Sequence, residues 1–216
     1  AAAAQIGETL AALGAVSTVG AKGVVRSIPP TPSADLIKKG GVLRWTGHGG
    51  LDTVDHWGTT AGISHLASSV WNDYLVAWDQ QGNAQPQMLE DWKLNADATI
   101  YTMTLRDGIK FWDGSAITVD DVLPSLDKWH TQIDPVPKSV WDLALPTQAK
   151  VDDKTFTLTM AEAFGVFPFY MGQSTMAVIP AALATKYPQS EPIPWEEIVG
   201  AGPMMVADYS PGNVLT

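Results

Sequence analysis

Two segments in the middle of the chain, residues 99–105 and 155–160, alternate apolar and polar side chains, and residues 88–94 before them also have the composition of a strand. Such alternation predicts strands with one buried face, which in residues 99–105 carries Tyr101, Met103 and Leu105. Polar turns are predicted immediately before the two alternating segments, at residues 95–98 and 151–154. The pattern therefore predicts β-structure through this part of the chain.

Apolar residues at helical spacing predict a helix over residues 63–78. Its apolar positions are Leu66, Val70, Trp71, Tyr74, Leu75 and Trp78. The run Gln-Gln-Gly-Asn at residues 80–83 predicts the turn that ends this helix. Two further tight turns are predicted at Asp107-Gly108 and Asp113-Gly114, because glycine accepts positive φ without steric cost.

Thr118 has the features of an N-cap for a second helix, which is predicted to run to about His130. Asp120 and Asp121 fall in its first turn, where their carboxylates meet the positive end of the helix dipole. The residues expected to point inward are Val122, Leu126 and Trp129. Pro124 interrupts the pattern, and we expect it to kink the helix just after the first turn.

Elements at the two ends of the patterned region complete the predicted fold. Residues 42–46 predict a short strand that leads into the glycine-rich run 47–50. An aromatic run at 164–171 precedes a short predicted helix at 180–187, and Gly200-Ala201-Gly202-Pro203 is predicted to open a last strand at residues 204–208. Strands and helices are mixed in order, so we predict an α/β fold with a partly antiparallel sheet.

Composition and charge limit the classes of function and partner that fit this chain. The 216 residues are 45% apolar and 17% charged, which is typical of a globular chain. A formal net charge of −10 disfavours nucleic acid and anionic membrane surfaces as partners and suits a monomer that stays in solution. The absence of cysteine excludes disulfides, thiolate nucleophiles and cysteine-ligated zinc within these residues.

The first 40 residues differ from the remainder of the chain. Residues 9–21 are small and apolar, and Val19-Gly20-Ala21 resembles a signal-peptidase site, although no basic start precedes them. They are either the tail of an export signal or an amphipathic N-terminal helix. Residues 28–32 (Ile-Pro-Pro-Thr-Pro) read as an extended polyproline linker before the ordered domain.

A series of short motifs in a fixed order carries a family resemblance. They are Gly41-Val42-Leu43-Arg44, Val54-Asp55, residues 87–92, residues 101–111, Trp112-Asp113-Gly114, residues 118–122, residues 151–156 and Gly200-Ala201-Gly202-Pro203-Met204. Together they resemble the extracellular solute-binding proteins of the peptide/nickel importer family, family 5. Trp112 stands where that family usually has His or Asn, and Met204 where it has an aromatic residue.

The resemblance implies a type II periplasmic-binding-protein-like lobe with a mixed sheet and the family's extra α/β subdomain. Residues 1–40 would then be an extension and linker, residues 41–71 and 181–216 an incomplete first-lobe core, and residues 72–180 the extra subdomain. Family members are more than twice this long and close two lobes around a ligand. We therefore expect this chain to be a first-lobe part, with the second lobe absent and ligand binding by the chain alone weak.

The resemblance also implies a function and a set of contact residues. The expected function is that of the substrate-binding component of an ABC importer, an exported periplasmic monomer without a cofactor that delivers a small organic or peptide-like solute to the permease. The residues that match cleft-lining positions are His48, Gly49, Gly50, Leu51, Thr59, Lys138, Trp141, Gln173 and Met176. Core packing is the alternative role for Trp141 and Met176, a solvated loop the alternative for His48, and structural packing is expected for Trp112.

Other functions fit the residues less well. His48, His56 and His65 could suggest a nickel or metal-chelate site, but their spacings of eight and nine residues do not place them on one helical face. Asp52 and Asp55 near His48 lack the motifs of a hydrolase, so we expect no enzyme, and the resemblance gives Asp55 a structural role. The alternative function is that of a sensory protein of the same fold, which presents its ligand to a receptor. Nothing in the sequence separates this function from transport.

The nine tryptophans exceed the usual frequency of this residue. Tryptophan offers a large apolar face and one N–H donor, so a surplus can form a ligand wall as well as a core. Among ligands, the surplus favours an organic molecule with apolar faces over a bare ion.

Overall fold

A computed structural model describes most of the chain from Leu51 onward. The described residues are 51, 53–59, 62–79, 81–131, 135–144, 146–172, 176–188, 191–211 and 214–216, with the side chains of 135–137 and 214 left out. The predictions for the first 40 residues, for the strand at 42–46 and for the run 47–50 lie outside this range. None of the helices in the described ranges combines the length and the apolar character that a bilayer crossing requires.

The described elements alternate between short helices and short strands. The helices are α1 (Gly62–Ser68), α2 (Val119–Thr131), α3 (Pro135–Ala144), α4 (Phe167–Met171) and α5 (Ala181–Lys186), with a 3-10 turn at Trp195–Glu197. The strands are β1 (Val76–Trp78), β2 (Ala84–Pro86), β3 (Leu89–Leu94), β4 (Ile100–Leu105), β5 (Thr147–Lys150), β6 (Thr155–Thr159), β7 (Tyr209–Ser210) and β8 (Val214–Leu215).

The largest sheet contains four strands in the order β3-β4-β6-β5. Strand β4 pairs antiparallel with β3 and β6, so that Tyr101 lies opposite Leu158 and Met103 opposite Phe156. All four of these side chains are buried, because alternation along each strand directs them to the same face. The three strands predicted in the middle of the chain are confirmed, as are the turns predicted before the second and the third.

Helix α2 covers the buried face of this sheet with the side chains predicted to point inward. Val122, Leu126 and Trp129 are fully buried in the same core as Met103 and Leu105. The predicted cap is present in a variant form, since the backbone N–H of Thr118 donates to the Asp121 carboxylate at 3.0 Å. The helix continues through Pro124 to Thr131.

The helix predicted over residues 63–78 is wrong in its second half. Helix α1 ends at Ser68, where the hydroxyls of Ser68 and Ser69 donate to backbone carbonyls of the preceding turn. The chain then becomes extended and forms β1, in which Val76 is fully buried beside Leu75. A short apolar run of this kind fits a buried strand as well as a helix, and tertiary contacts decided between them.

The turn predicted before Asn83 is present, but it joins β1 to β2 instead of ending a helix. Gly82 has φ of +81°, which favours glycine at this position. The backbone N–H of Asp79 donates to Asn83 O at 2.9 Å and closes the turn.

The predicted strand at 204–208 is also wrong, and the residues just before it lie against the backbone that follows α1. A Cβ on Gly200 would lie 1.9 Å from the carbonyl oxygen of Trp71. Gly202 donates its N–H to the same oxygen, and the Trp112 indole donates to Gly202 O at 3.1 Å. Trp112 therefore has the structural packing role expected for it. Regular pairing begins only at Tyr209.

The predicted α/β class is confirmed. The resemblance predicts a mixed sheet, with parallel as well as antiparallel strands. In the described ranges, every strand pairing is antiparallel.

Candidate solute-binding surface

Asp55 fixes the segment that leads into α1. Its carboxylate accepts the backbone N–H of Trp57 at 3.1 Å and the backbone N–H of Ile193 at 2.8 Å. Burial raises the pKa of Asp55, whereas these two hydrogen bonds and the Lys128 ammonium act to lower it. The contacts give Asp55 the structural role expected for it.

A buried lysine on α2 holds two neighbouring segments. Lys128 donates from Nζ to the carbonyl oxygens of Tyr187 and Glu191, at 2.6 and 3.1 Å. The same ammonium lies 5.6 Å from the ring centroid of Trp57, within the range of a cation–π contact. Burial lowers the pKa of Lys128, and the charges of Asp55 and Glu191 oppose that shift. Sequence reasoning missed this residue, because lysine on a helix is usually exposed.

Trp129, which follows Lys128 in α2, contacts the segment that carries the candidate residue Trp141. Trp129 is fully buried and meets Trp141 edge to face, with ring centroids 5.6 Å apart. Consecutive residues of one helix thus connect the Trp57 segment with the Trp141 segment.

Trp141 is packed on several sides within the main core. Its side chain is 7% exposed and lies 6.3 Å from Phe167. The imidazole of His130 stacks on it at 5.5 Å with an interplanar angle of 18°. Asp142 holds this arrangement, since its carboxylate contacts His130 Nε2 at 3.2 Å and also pairs with Lys138. Trp141 therefore has the core packing considered as the alternative to ligand contact.

The other candidate residues differ in exposure. Leu51 is half-buried, and its carbonyl accepts the Tyr209 hydroxyl at 2.8 Å. Thr59 and Met176 are each 2% exposed, whereas Lys138 is exposed. His48, Gly49, Gly50 and Gln173 lie outside the described residues. Only Leu51 and Lys138, among the described candidates, offer substantial surface.

The buried histidines have structural contacts. His56 Nδ1 lies 3.2 Å from the Asn72 side-chain nitrogen, and His65 Nε2 lies 3.1 Å from Thr59 O. Burial holds the pKa of His56 well below its ordinary value. A cavity beside His56, bordered by Trp57, has a volume of about 10 Å³, which suits one water and no solute. Within the described ranges, no three His, Asp or Glu side chains are grouped to hold a metal.

Solved structures with the same fold define the class of protein. A dipeptide-binding protein from Pseudoalteromonas sp. SM9913, in complex with Met-Leu, superposes with a TM-score of 0.65 at 20% identity, covering 77% of this chain and 37% of that one. The binding protein AgaA of Agrobacterium tumefaciens R10, in complex with agropinic acid, gives 0.61 at 25% identity, covering 73% and 31%. The fold is that of the type II periplasmic binding proteins, as predicted.

The family to which this chain belongs is identified by a family model that matches its sequence. Residues 83–216 match the model for bacterial extracellular solute-binding proteins, family 5 Middle. The chain belongs to this family, which consists of solute-binding proteins and not of enzymes.

Curated relatives are much longer than this chain. A probable peptide ABC transporter periplasmic-binding protein of Sinorhizobium fredii is 33% identical over 118 residues, which are 55% of this chain and 22% of the relative. Heme-binding protein A of Haemophilus influenzae is 27% identical over 173 residues, covering 68% of this chain and 31% of that protein. Glutathione-binding protein GsiB of Escherichia coli K12 is 24% identical over 136 residues, covering 62% and 26%. The chain spans between 22 and 31% of these relatives' lengths.

Proposed function

We propose that this chain is part of the substrate-binding component of an ABC importer. In this proposal, the protein captures a small organic solute outside the cytoplasmic membrane, in the periplasm, and delivers it to the permease without changing it chemically. The observation that carries the proposal is the family match over residues 83–216.

A peptide-like solute is the ligand class we propose. The S. fredii relative is named as a probable peptide transporter protein, and the E. coli relative as a glutathione-binding protein. Both names refer to molecules with peptide bonds. Nine tryptophans supply apolar faces that suit such organic ligands better than a bare ion.

We also propose that the chain is divided into a first-lobe core, from residues 41–71 and 181–216, and an extra subdomain at 72–180. Two long-range hydrogen bonds support this division. Asp55 accepts from Ile193, and Tyr209 donates to Leu51 O, so both bonds link the two parts of the proposed core. The four-stranded sheet lies wholly between them in sequence and carries three of the buried aromatic side chains, Trp92, Tyr101 and Phe156.

The proposed ligand surface includes the loop around His48 to Leu51, together with Thr59, Lys138, Trp141, Gln173 and Met176. Trp141 is the most informative of these residues because His130 covers one face of its indole. A ligand could stack on that face only after the imidazole had moved away. Its position near the end of α2, with the side chain one-third exposed, favours such a movement over a shift of the buried Trp129.

A thermal-shift screen of the natural gene product tests the proposed function. The probes are dipeptides such as Met-Leu, glutathione and haemin, each with the concentration varied. A solute that binds only the folded protein stabilises it by about 2.7 kcal/mol at a hundred times its Kd, which is a readily measured rise in Tm. We expect at least one peptide-like probe to raise Tm and to be recovered intact by mass spectrometry. Chemical conversion of a probe, or no shift with any probe, would refute the proposal.

A further inference from the structure

Four aromatic side chains form a continuous surface feature on one side of the molecule. We call Trp78, Phe169, Tyr170 and Phe164 the aromatic platform. Trp78 is 45% exposed and Phe169 42% exposed, and their rings stack at 4.8 Å with an angle of 16°. Tyr170 meets Phe169 edge to face at 5.7 Å and stacks on Phe164 at 6.3 Å. Large aromatic faces left exposed in this way often mark an interaction surface.

The position of Trp78 is fixed by the residues beneath it. Its indole N–H donates to Phe169 O at 2.8 Å. Gly172 makes room for the ring, because a Cβ at that position would lie 2.5 Å from Nε1 and 2.6 Å from Cδ1. At the other end of the platform, Phe164 is held by the Tyr101 hydroxyl, which donates to Phe164 O at 2.8 Å. The platform is therefore an ordered surface whose indole donor is already used.

The border of the platform is negatively charged. Residues 76–79, 81–87, 94–101 and 160–172 contain the platform and its neighbours along the chain, and they include no lysine, arginine or histidine. The basic side chain of Arg106 contacts them, through a 3.0 Å hydrogen bond to Pro86 O. Their acidic residues are Asp79, Asp97 and Glu162. Asp79 follows Trp78, whereas the other two flank Phe164, whose N–H donates to Ala98 O at 3.0 Å. Hydrogen bonds from Asn83, Gln81 and Gln85 lower the pKa of Asp79, which stays ionised at neutral pH.

We propose that the aromatic platform binds an arginine-bearing segment of a partner protein. A guanidinium stacks on aromatic faces and pairs with carboxylates, so it satisfies both features of this surface. A second copy of this chain fits poorly, because its carboxylates would meet those of the first copy. This partner surface is separate from the proposed solute function.

A peptide titration followed by ¹⁵N NMR tests the proposal. The probe is a capped Gly-Arg-Gly-Arg-Gly peptide, and the comparison peptide replaces each arginine with citrulline, its neutral analogue. The indole signal of Trp78 is identified as the one that disappears in Trp78→Phe. We expect the arginine peptide to shift this signal, the citrulline peptide to bind at least tenfold more weakly, and added salt to weaken the effect because the border charges are exposed.

Variants distinguish binding at the aromatic platform from nonspecific binding to other exposed apolar side chains. We expect Trp78→Leu to reduce affinity for the arginine peptide at least tenfold, and Glu162→Gln to reduce it severalfold while leaving the rings in place. Leu143→Ala is the matched control, since Leu143 is apolar, 70% exposed and outside the platform. Equal binding of the citrulline peptide, unchanged binding by Trp78→Leu, or self-association that shifts the Trp78 signal would each overturn the proposal. The Trp78 signal and the Trp78→Leu variant report on the platform alone, so failure of this test leaves the proposed transport function standing.

Discussion

The Asp55 carboxylate and the backbone N–H of Ile193 are joined by a 2.8 Å hydrogen bond across 138 residues of sequence. Asp55 is 1% exposed and Ile193 3% exposed, so the bond is shielded from bulk solvent. The bond closes the segment before α1 onto the segment after α5, and Lys128 reinforces the closure from α2. One acidic side chain thus connects a segment near the start of the described chain with one that follows α5.

Removing this carboxylate should destabilise the fold. In Asp55→Ala, the backbone N–H groups of Trp57 and Ile193 lose their shared acceptor, and each buried unpaired donor costs about 1–3 kcal/mol. We expect the free energy of unfolding to fall by at least about 2 kcal/mol in urea titrations. Asp55→Asn retains one acceptor oxygen and should lose about half as much. Equal free energies of unfolding for wild type and Asp55→Ala would show that these hydrogen bonds do not contribute to stability.

Gly200 should tolerate no side chain. In Gly200→Ala, the new Cβ would meet the carbonyl of Trp71 at 1.9 Å, so the backbone itself has to move. We expect a loss of about 3 kcal/mol or more, beyond the usual cost of overpacking by one methyl group. Gly165→Ala is the matched control, because a Cβ there meets no atom within 4 Å. Similar Tm values for the two variants would contradict the close approach of these segments.

The buried His56 should make stability depend on pH. Burial holds its folded pKa well below the ordinary 6.5, so the unfolded chain binds a proton in a range where the folded protein does not. The free energy of unfolding should therefore fall as pH decreases below 6.5, by up to about 1.4 kcal/mol per pH unit from this residue.

Chemical denaturation at several pH values measures this slope. His56→Gln should flatten it between pH 6.5 and the lower folded pKa. Because the shift comes mainly from desolvation, added salt should leave it in place. A slope that is identical in wild type and His56→Gln would assign the pH dependence to other groups.

Trp141 should contribute to stability whether or not it contacts a solute. Its indole packs against Trp129 and Phe167, so Trp141→Ala leaves a cavity and should cost about 3–5 kcal/mol. Leu143→Ala on the same helix changes an exposed side chain and should stay within about 0.5 kcal/mol of wild type. Urea titration of both variants gives the comparison. A cost below 1 kcal/mol for Trp141→Ala would contradict the observed packing.

The sequence was most informative where local pattern and local structure coincide. Strand β4 follows from period-two alternation after a four-residue turn, and α2 follows from its cap and its apolar spacing. Both elements depend mainly on neighbouring residues. The family resemblance extended this reading to the class of fold, because its motifs lie largely in these same elements.

Long-range contacts explain what the sequence did not predict. Val76 belongs to a strand because it pairs with Pro86 of β2 and is buried in the main core, which a helical pattern of apolar residues does not reveal. Lys128 is buried because carbonyls 59 and 63 residues away accept its hydrogen bonds. Trp141 was selected as a ligand contact by its place in the family motif, whereas its packing depends on side chains from α2 and α4.

Native mass spectrometry of the natural gene product, purified from its own cells under gentle conditions, tests the central claim of solute binding most directly. We predict a complex with one small organic molecule per protein, whose released mass and fragmentation identify a peptide-like compound. Unfolding should release the molecule unchanged. A protein that carries no small molecule, and gains none after incubation with a mixture of dipeptides and glutathione, would contradict this account.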